Sequence, residues 1–578
     1  MIRIFLILIY IQYIYSYQSN KPCDESWWKT ATFYQIYPKS FKDSDGDGIG
    51  DLQGVIEKLD YIRNLGVTGI WLSPIFKSPE KDQGYDISDY RDINPMFGTL
   101  EIFQQLVNEV HKRRLKIIVD FVPNHTSDKH EWFEKSVNRE DKYEDYYIWK
   151  GDENSTGPPN NWISNFKFSA WEWNENRKQY YLHHFLKEQP DLNFRNHHVR
   201  NEMKDILSYW LVQFNVDGVR IDAVPFLIEE KNFRDEPRSN DPTATEIDYE
   251  YLNHIYTLNQ PESYELVYEW RAHVERTSAI SGQEKICMSE AVQPTDMVIP
   301  YYGSADGSRL GAHFSFNFIL LQELKSTSNA KDLANLINEW LNKLPTKYTS
   351  NWVLGSHDVH RVATKFGKER VDLLNMLTGF LPGIQVTYNG EEIGMENGPV
   401  PCMFGHDHVY NCTTYPNISR DFERTPMQWD NSKCAGFTNV TRTWLPVSYK
   451  KLECNVFDQE KNAKSHLNIY RDIQKLRTLL KQQTQIQLKV LDKNKNILEI
   501  VRFNNAMEGH RKTDIFEMIL NYGNESVVVP ITEEPPFQVM LRSGNSPKKC
   551  GEIINGKHIT MDPYEAIIFR PTKRLPQK

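Results

Sequence analysis

Gly218–Val224 reads GVRIDAV, an apolar run of strand length that carries a charged pair, Arg220 and Asp222. Side chains two residues apart on a strand point the same way, so the guanidinium and the carboxylate share one side. The construction recurs in ICMSEAV (Ile286–Val292), which carries Glu290, and in NWVLGSHD (Asn351–Asp358), which ends on His357 and Asp358. Working outward, strand-like runs appear at Thr32–Tyr37, Gly69–Phe76, Leu115–Val122, Gly218–Val224, Lys285–Val292, Ala312–Phe318, Asn351–Asp358 and Gly383–Glu391. Most are continuously apolar, as strands buried on both faces are. Between them lie helical stripes. Leu52–Leu65 places Leu52, Val55, Ile56, Leu59, Ile62 and Leu65 at a 3.6-residue period, and Thr99–Arg113 and Val199–Phe214 read alike, with Thr99 or Gly98 as a cap. Repeated strand–helix alternation predicts an α/β fold, a (β/α)8 TIM barrel, which gathers its strand ends at one mouth.

The spacing is uneven after the third run. It ends near Val122, and the next helix begins near His197. The stretch between is rich in Trp, Asn, Pro and charge and is too long for an ordinary loop. An inserted subdomain is therefore expected at 122–195, with the barrel at 18–121 and 196–485. Residues from about 392 to 460 read as an irregular, Cys-bearing excursion after the eighth run. From 486 to 578 the pattern changes to short strands at Gln487–Leu491, Ile497–Phe503, Phe516–Leu520, Ser526–Val529, Gln538–Leu541 and Ala566–Phe569, which predicts a C-terminal β-sandwich.

Acids from distant strands meeting at one mouth suit cleavage of a glycosidic bond, which needs a nucleophile and a proton donor close together. Four segments, DFVPNH (Asp120–His125), GVRIDAV, SEA (Ser289–Ala291) and SHD (Ser356–Asp358), resemble the signature regions of the α-amylase family of glycoside hydrolases (family 13). GVTGIWLSPIF (Gly66–Phe76), GYDISDY (Gly84–Tyr90), QPDLN (Gln189–Asn193) and RTPMQWD (Arg424–Asp430) are similar to its α-glucosidase and maltase branch, insect maltases and sucrases included. The resemblance spans roughly residues 27 to 480. One such motif is weak; eight in order are specific.

The resemblance implies roles. Asp222 is the nucleophile, kept charged and oriented by Arg220. Glu290 is the general acid/base; it must begin protonated, and Met288 and Asp222 beside it should raise its pKa. Asp358 grips sugar hydroxyls and stabilises the oxocarbenium-like state, and His125 and His357 donate to hydroxyls of the same ring. Asp86 and Arg424 resemble the pair that closes around the non-reducing glucose, with Tyr85 stacking on the ring. Asp120 and Asn124 support the end of the third strand, and Phe166 is a pocket wall. The implied activity is exo-acting, retaining α-glucosidase action on maltose, sucrose and short maltooligosaccharides, with transglucosylation where a sugar intercepts the intermediate. Three departures stand out. Ala223 follows the nucleophile where Val accompanies α-1,6 preference, which suggests α-1,4 or α-1,2 cleavage. Val292 and Asn389 each replace a common Tyr.

DSDGDGIGD (Asp43–Asp51) alternates oxygen donors at Asp43, Asp45 and Asp47, with Asp51 following and the Ile49 carbonyl available. Hard cations such as Ca²⁺ favour such clustering, although no Glu completes an EF-hand. The maltase branch carries a similar calcium loop, so a structural Ca²⁺ is expected; the plainer alternative is a solvated acidic turn.

The 578 residues carry a formal charge of −9 and no basic block, which argues against nucleic acid. Aromatics are 12%, enough for a large core or for sugar stacking. Residues 1–17, with Arg3, the apolar Ile4–Tyr15 and the small Ser16, read as a cleaved secretory signal rather than a signal anchor. The charged KRLPQK terminus offers no lipid-anchor signal. A secreted monomer or homodimer without a membrane anchor is expected. Cys402–Cys412 is a plausible local disulfide and Cys434–Cys454 another; Cys287 reads as a buried thiol, and Cys23 and Cys550 are unassigned. Glycosylation sequons fall at Asn154, Asn411, Asn417, Asn439 and Asn524; Asn124 begins another but is read as a site residue. The competing reading is a catalytically inert binding or receptor protein on the same scaffold, as in the heavy chains of amino-acid transporters. The intact acids oppose it.

Overall fold

The computed structural model describes residues 26–410, 413, 418–481, 484–491, 493, 495–504, 515–531 and 536–572. The expected signal segment, Cys23, Cys412 and the sequons at Asn411 and Asn417 lie outside the described residues.

Eight parallel strands form one sheet: β1 (Thr32–Ile36), β2 (Gly69–Leu72), β3 (Lys116–Phe121), β4 (Gly218–Ile221), β5 (Ile286–Ser289), β6 (Phe314–Ser315), β7 (Asn351–Val353) and β8 (Ile384–Tyr388). Neighbours in the sheet run β6-β5-β4-β3-β2-β1-β8-β7, so each strand pairs with the next in the chain and the seam falls between β6 and β7. Side chains close that seam. Asn351 Nδ2 donates to Ser315 O (2.7 Å), and Asn317 donates from its backbone N–H to Asn351 Oδ1 (2.8 Å) and from Nδ2 to Asn351 O (3.0 Å). Every residue of β1, β2, β4, β5, β7 and β8 is buried, which accounts for their largely apolar character.

The ladders end earlier than the apolar runs. β2 stops at Leu72, and Phe76–Lys77 turns away to pair antiparallel with Asp89–Ile93. After β4 the chain leaves the sheet at Asp222, because Ala223 takes a left-handed conformation (φ 49°). The stripe at Leu52–Leu65 is two helices, Leu52–Glu57 and Leu59–Leu65. Lys58 tightens the turn between them with a bond to the Val55 carbonyl, while its ammonium lies over the Trp429 ring. Leu100–Lys112 follows the predicted stripe, with Thr99 capping Ile102 N–H.

The insertion after β3 holds a short helix, Glu131–Val137, and an antiparallel sheet of Trp149–Lys150, Gln179–Leu182 and Trp171–Asn174, with its own core around Trp162 and Trp171. The C-terminal unit is a six-stranded antiparallel sheet faced by a two-stranded one. It includes two strands that sequence reading missed, Ile553–Ile554 and His558–Met561, both short and flanked by polar residues. Its sheet alternates faces: Leu498, Met518 and Ile568 join the barrel core, whereas Ile497, Ile519 and Ile567 pack with Met561 of the small sheet.

Cys402 is disulfide-bonded, to a partner outside the described residues. Cys434 and Cys454 do not pair as expected. Their thiols are committed to different carbonyls, Val440 O at 3.0 Å and Ile393 O at 3.2 Å. Cys287 is a buried thiol as read. Among the described residues no helix is long and apolar enough to cross a membrane.

Candidate active site

Strand register sets the site. Asp120, Arg220 and Met288 are level across β3, β4 and β5. One step further, Asp222 N–H donates to Phe121 O (2.9 Å) and Glu290 N–H to Ile221 O (2.8 Å), so both acids stand at adjacent strand ends at the same height. Arg220, almost wholly buried, touches three acids at once. Its Nη1 donates to Asp222 Oδ1 (2.5 Å) and Asp120 Oδ1 (2.8 Å), and its Nη2 lies 3.1 Å from Glu290 Oε1. The strained Ala223 aims its N–H at Glu290 Oε2 (3.0 Å), so the left-handed residue after Asp222 holds the second acid. Burial raises the Asp222 carboxyl well above the usual range; Arg220 opposes this, and Glu290, Asp120 and Asp358 add to the rise. Burial likewise lifts Asp120 to about 6 against Arg220.

Asp358 faces this group from the end of the β7 segment. Burial would raise its carboxyl, but His357 and the guanidiniums of Arg424, Arg420 and Arg220 hold it at about 2, so it is ionised. Arg424 Nη2 donates to Asp358 Oδ1 (2.6 Å) and Arg424 Nε to the His357 carbonyl (2.7 Å). His357 is held neutral, at about 3, by burial. Gln35 Nε2 donates to its Nδ1 (2.8 Å), leaving the ring proton on Nε2, which faces Tyr85 OH (2.7 Å) and Asp358 Oδ2 (3.2 Å). Tyr85 lies parallel to the His357 ring, centroids 5.6 Å apart. Burial also keeps His125 neutral. Asn124 is buried against Asp191 (3.3 Å) and His125 (3.2 Å), a supporting place rather than a glycosylation site.

Asp222, Glu290 and Asp358 line one cavity of about 330 Å³, together with Tyr85, His125 and Phe166. The predicted Asp86–Arg424 clamp is corrected. Asp86 is fully buried away from the cavity. Its carboxylate accepts from Ser78 OH, Lys81 N–H and Asp82 N–H, each at 2.9 Å, and so closes its own turn. Arg424 sits behind Asp358. The ion pair that lines the cavity is Asp82–Arg420, Oδ1 to Nη2 at 2.9 Å, each four residues earlier in the chain. Asp407 doubles the grip on Arg420 (2.9 Å), and Gln189 Nε2 donates to Asp82 Oδ2 (3.1 Å). This bridge ties the loop after β2 to the excursion after β8 and shuts that side of the cavity. Phe166, Phe185 and Tyr410 stack edge-on beside it, and Arg420 lies over the Phe166 ring at 5.7 Å.

In the acidic loop, carboxylate oxygens of Asp43, Asp45 and Asp51 lie within 4.8 Å of one another. Asp47 is not part of that group; it accepts from Ile49 N–H (2.7 Å), and burial raises its pKa. Asp51 also caps the helix at Leu52 through Gly54 N–H (2.7 Å), and Asp43 accepts from Gly46 (2.7 Å) and Gly48 (2.9 Å). Three clustered oxygen donors fit a hard divalent cation.

The chain matches the alpha amylase catalytic domain over residues 35–486. It is 47% identical over 481 residues to Maltase 1 of Drosophila virilis, covering 80% of this chain and 74% of that one. It is 46% identical over 462 residues to the salivary alpha-glucosidase of Aedes aegypti, covering 78% and 79%. Among solved structures it resembles the alpha-glucosyl transfer enzyme XgtA, at TM-score 0.83 and 30% identity, over 94% of this chain and 99% of that one.

Proposed function

The chain belongs to the α-amylase family and is an α-glucosidase, and on that premise we propose that it is secreted, releases glucose from non-reducing ends and retains anomeric configuration. Asp222 attacks the anomeric carbon while Glu290 gives its proton to the departing glycosidic oxygen. The bond from carbon to aglycone breaks as the ester to Asp222 forms. Glu290, now a carboxylate, takes a proton from water, whose oxygen displaces Asp222 from the same face as the bond that was broken. A sugar hydroxyl in place of water gives transglucosylation. Arg220 supports this division of roles: its Nη1 bonds Asp222 Oδ1 at 2.5 Å and so orients the attacking carboxylate, while Glu290 is placed beside it by Arg220 Nη2 (3.1 Å) and by Ala223 N–H (3.0 Å). Ionised Asp358 and neutral His357 and His125 serve the hydroxyls and the positive charge that develops on the ring. Asp82–Arg420 closes the glycone side, which selects chain ends.

One observation carries the reading: three acids line a single cavity shut on one side by an ion pair. Asp43, Asp45 and Asp51, with the Ile49 carbonyl and Asp47 nearby, would hold Ca²⁺ as a structural ion. Secretion is supported by the apolar leader at residues 1–17 and by a relative named for saliva. Product analysis on maltose, sucrose and isomaltose, with anomers followed by NMR and Asp222→Asn as control, tests the proposal. α-Glucose should appear first and the variant should be inactive. β-Glucose as the first product, or full activity in the variant, would overturn it.

A further inference from the structure

Inside the barrel, next to the catalytic acids, lies a small cavity of about 10 Å³ whose walls include Arg220, Glu290, His357 and Asp358. Three residues around it each carry a buried polar atom with no hydrogen-bond partner among the described residues: Gln35 Oε1, Trp71 Nε1 and Arg220 Nε. All three side chains are shut off from solvent, at 0%, 3% and 2% exposure. They come from three strands. Gln35 on β1 is level with Trp71 on β2, and Arg220 on β4 sets its guanidinium carbon 5.3 Å from the centre of the Trp71 ring. A buried polar atom left without a partner is costly. Three of them around one space call for a common partner.

The other ends of these groups are already committed. Gln35 Nε2 donates to His357 Nδ1 (2.8 Å) and to Ser73 Oγ (3.3 Å), which leaves Oε1. Arg220 spends Nη1 on Asp120 and Asp222 and Nη2 on Glu290, which leaves Nε. The uncommitted set is therefore two N–H donors and one amide oxygen. The N–H donors repel a cation, and the amide oxygen and the two carboxylates repel an anion. Water meets both kinds of group. Its lone pairs accept from Arg220 and Trp71, one proton goes to Gln35 Oε1, and the second is left for a carboxylate, Glu290 or Asp358. The size also fits, since one buried water needs roughly 10–15 Å³ of this kind of volume and two to four polar partners.

We propose that one structural water binds in this cavity and that Gln35 and Trp71 act through it as positioning residues for the catalytic centre. Neither lines the catalytic cavity. Held through Nε, the guanidinium of Arg220 keeps its plane, and Nη1 and Nη2 stay on the acids. Held through Oε1, the Gln35 amide keeps Nε2 on His357 Nδ1, so the histidine proton stays on Nε2, towards Tyr85 and Asp358. One water thus ties the partner of the nucleophile to the histidine across the barrel. The effect on turnover rests on the α-glucosidase reading; the water site does not.

A high-resolution crystal structure of the wild type should show one ordered water at hydrogen-bond distance, about 2.7–3.2 Å, from Arg220 Nε, Trp71 Nε1 and Gln35 Oε1. The wild-type structure decides the site without any variant. Trp71→Phe keeps a ring and removes a donor, and Gln35→Met keeps bulk and removes the acceptor. In Trp71→Phe, kcat on maltose should fall about tenfold, the weight of one hydrogen bond, with KM little changed. The acid limb of its pH–rate profile should move to higher pH, because a guanidinium free to tilt favours the Asp222 anion less. Lost stability alone would reduce the active fraction without moving that limb. Gln35→Met should lower kcat further, since it also releases His357. A dry cavity, an ion in it, or protein partners for the three atoms overturns the water site. An ordered water with kcat and acid limb unchanged in both variants overturns the positioning role. A wild type that holds the water but is inert on maltose and 4-nitrophenyl α-glucoside overturns the α-glucosidase reading and leaves the site.

Discussion

Arg420 meets Asp82 at 2.9 Å across the closed side of the catalytic cavity, and both side chains are buried. A buried pair of this kind is costly to break, because the partner left behind has no water to replace it. In Asp82→Ala, Arg420 keeps Asp407 but loses its link to the β2 side. The expected result is a fall in kcat/KM on maltose of about 100-fold, the scale set by a misplaced substrate, carried mainly by KM. The variant should also begin to cleave maltooligosaccharides blocked at the non-reducing end. Unchanged kinetics on maltose would show that the pair does not define the end of the site.

The same pair marks the limit of what the sequence discloses. KDQGYDISDY offers acids at Asp82, Asp86 and Asp89, and SRDFERTPMQWD offers arginines at Arg420 and Arg424. Composition cannot tell which acid spends its charge on a turn. Asp86 does so because three donors converge on it. Strand-end acids were legible for the opposite reason: apolar runs fix where β4, β5 and β7 lie, and a closed sheet directs the residues just past them to one rim. The triple contact of Arg220 was half visible, since spacing gives Asp222 but only register adds Asp120 and Glu290. Cys434 and Cys454 misled because proximity in sequence says nothing about which carbonyl a thiol will face.

Arg220→Lys keeps the charge and loses the fork. One ammonium cannot reach Asp120, Asp222 and Glu290 together, and the acids it leaves repel one another. Activity should fall on the order of 10²–10³-fold in kcat, with a lowered melting temperature and a shifted acid limb of the pH–rate profile. Retained kcat with a normal profile would show that charge alone suffices and that the guanidinium geometry is dispensable.

Glu391, just past β8, is buried, its Oε1 has no hydrogen-bond partner among the described residues, and burial pushes it to about 8 from an ordinary 4.5. Between those values the folded chain holds a proton that the unfolded chain releases. Stability from this group is therefore full below pH 4.5 and lost as pH rises towards 8, at roughly 1.4 kcal/mol per pH unit. Glu391→Gln stays neutral throughout. Its unfolding free energy relative to wild type should climb between pH 5 and pH 8 in denaturant titrations. A difference that does not change with pH would mean that Glu391 is ionised in the folded chain.

Chelation should separate stability from chemistry. The Asp43–Asp45–Asp51 cluster touches no catalytic acid, but Asp51 caps the helix at Leu52, and Asp43 ties the loop to Thr438 of the excursion after β8 through a hydroxyl bond of 2.5 Å. A divalent cation there would offset two of three like charges and pin both segments. Adding EDTA should lower the melting temperature, and returning Ca²⁺ should restore it, by a free energy of about 2.7 kcal/mol when Ca²⁺ stands at 100 times its dissociation constant. Initial rates on maltose well below the transition should not change. Asp45→Asn should melt early and respond weakly to Ca²⁺. A melting curve indifferent to EDTA, with Asp45→Asn as stable as wild type, would leave the loop as a solvated acidic turn.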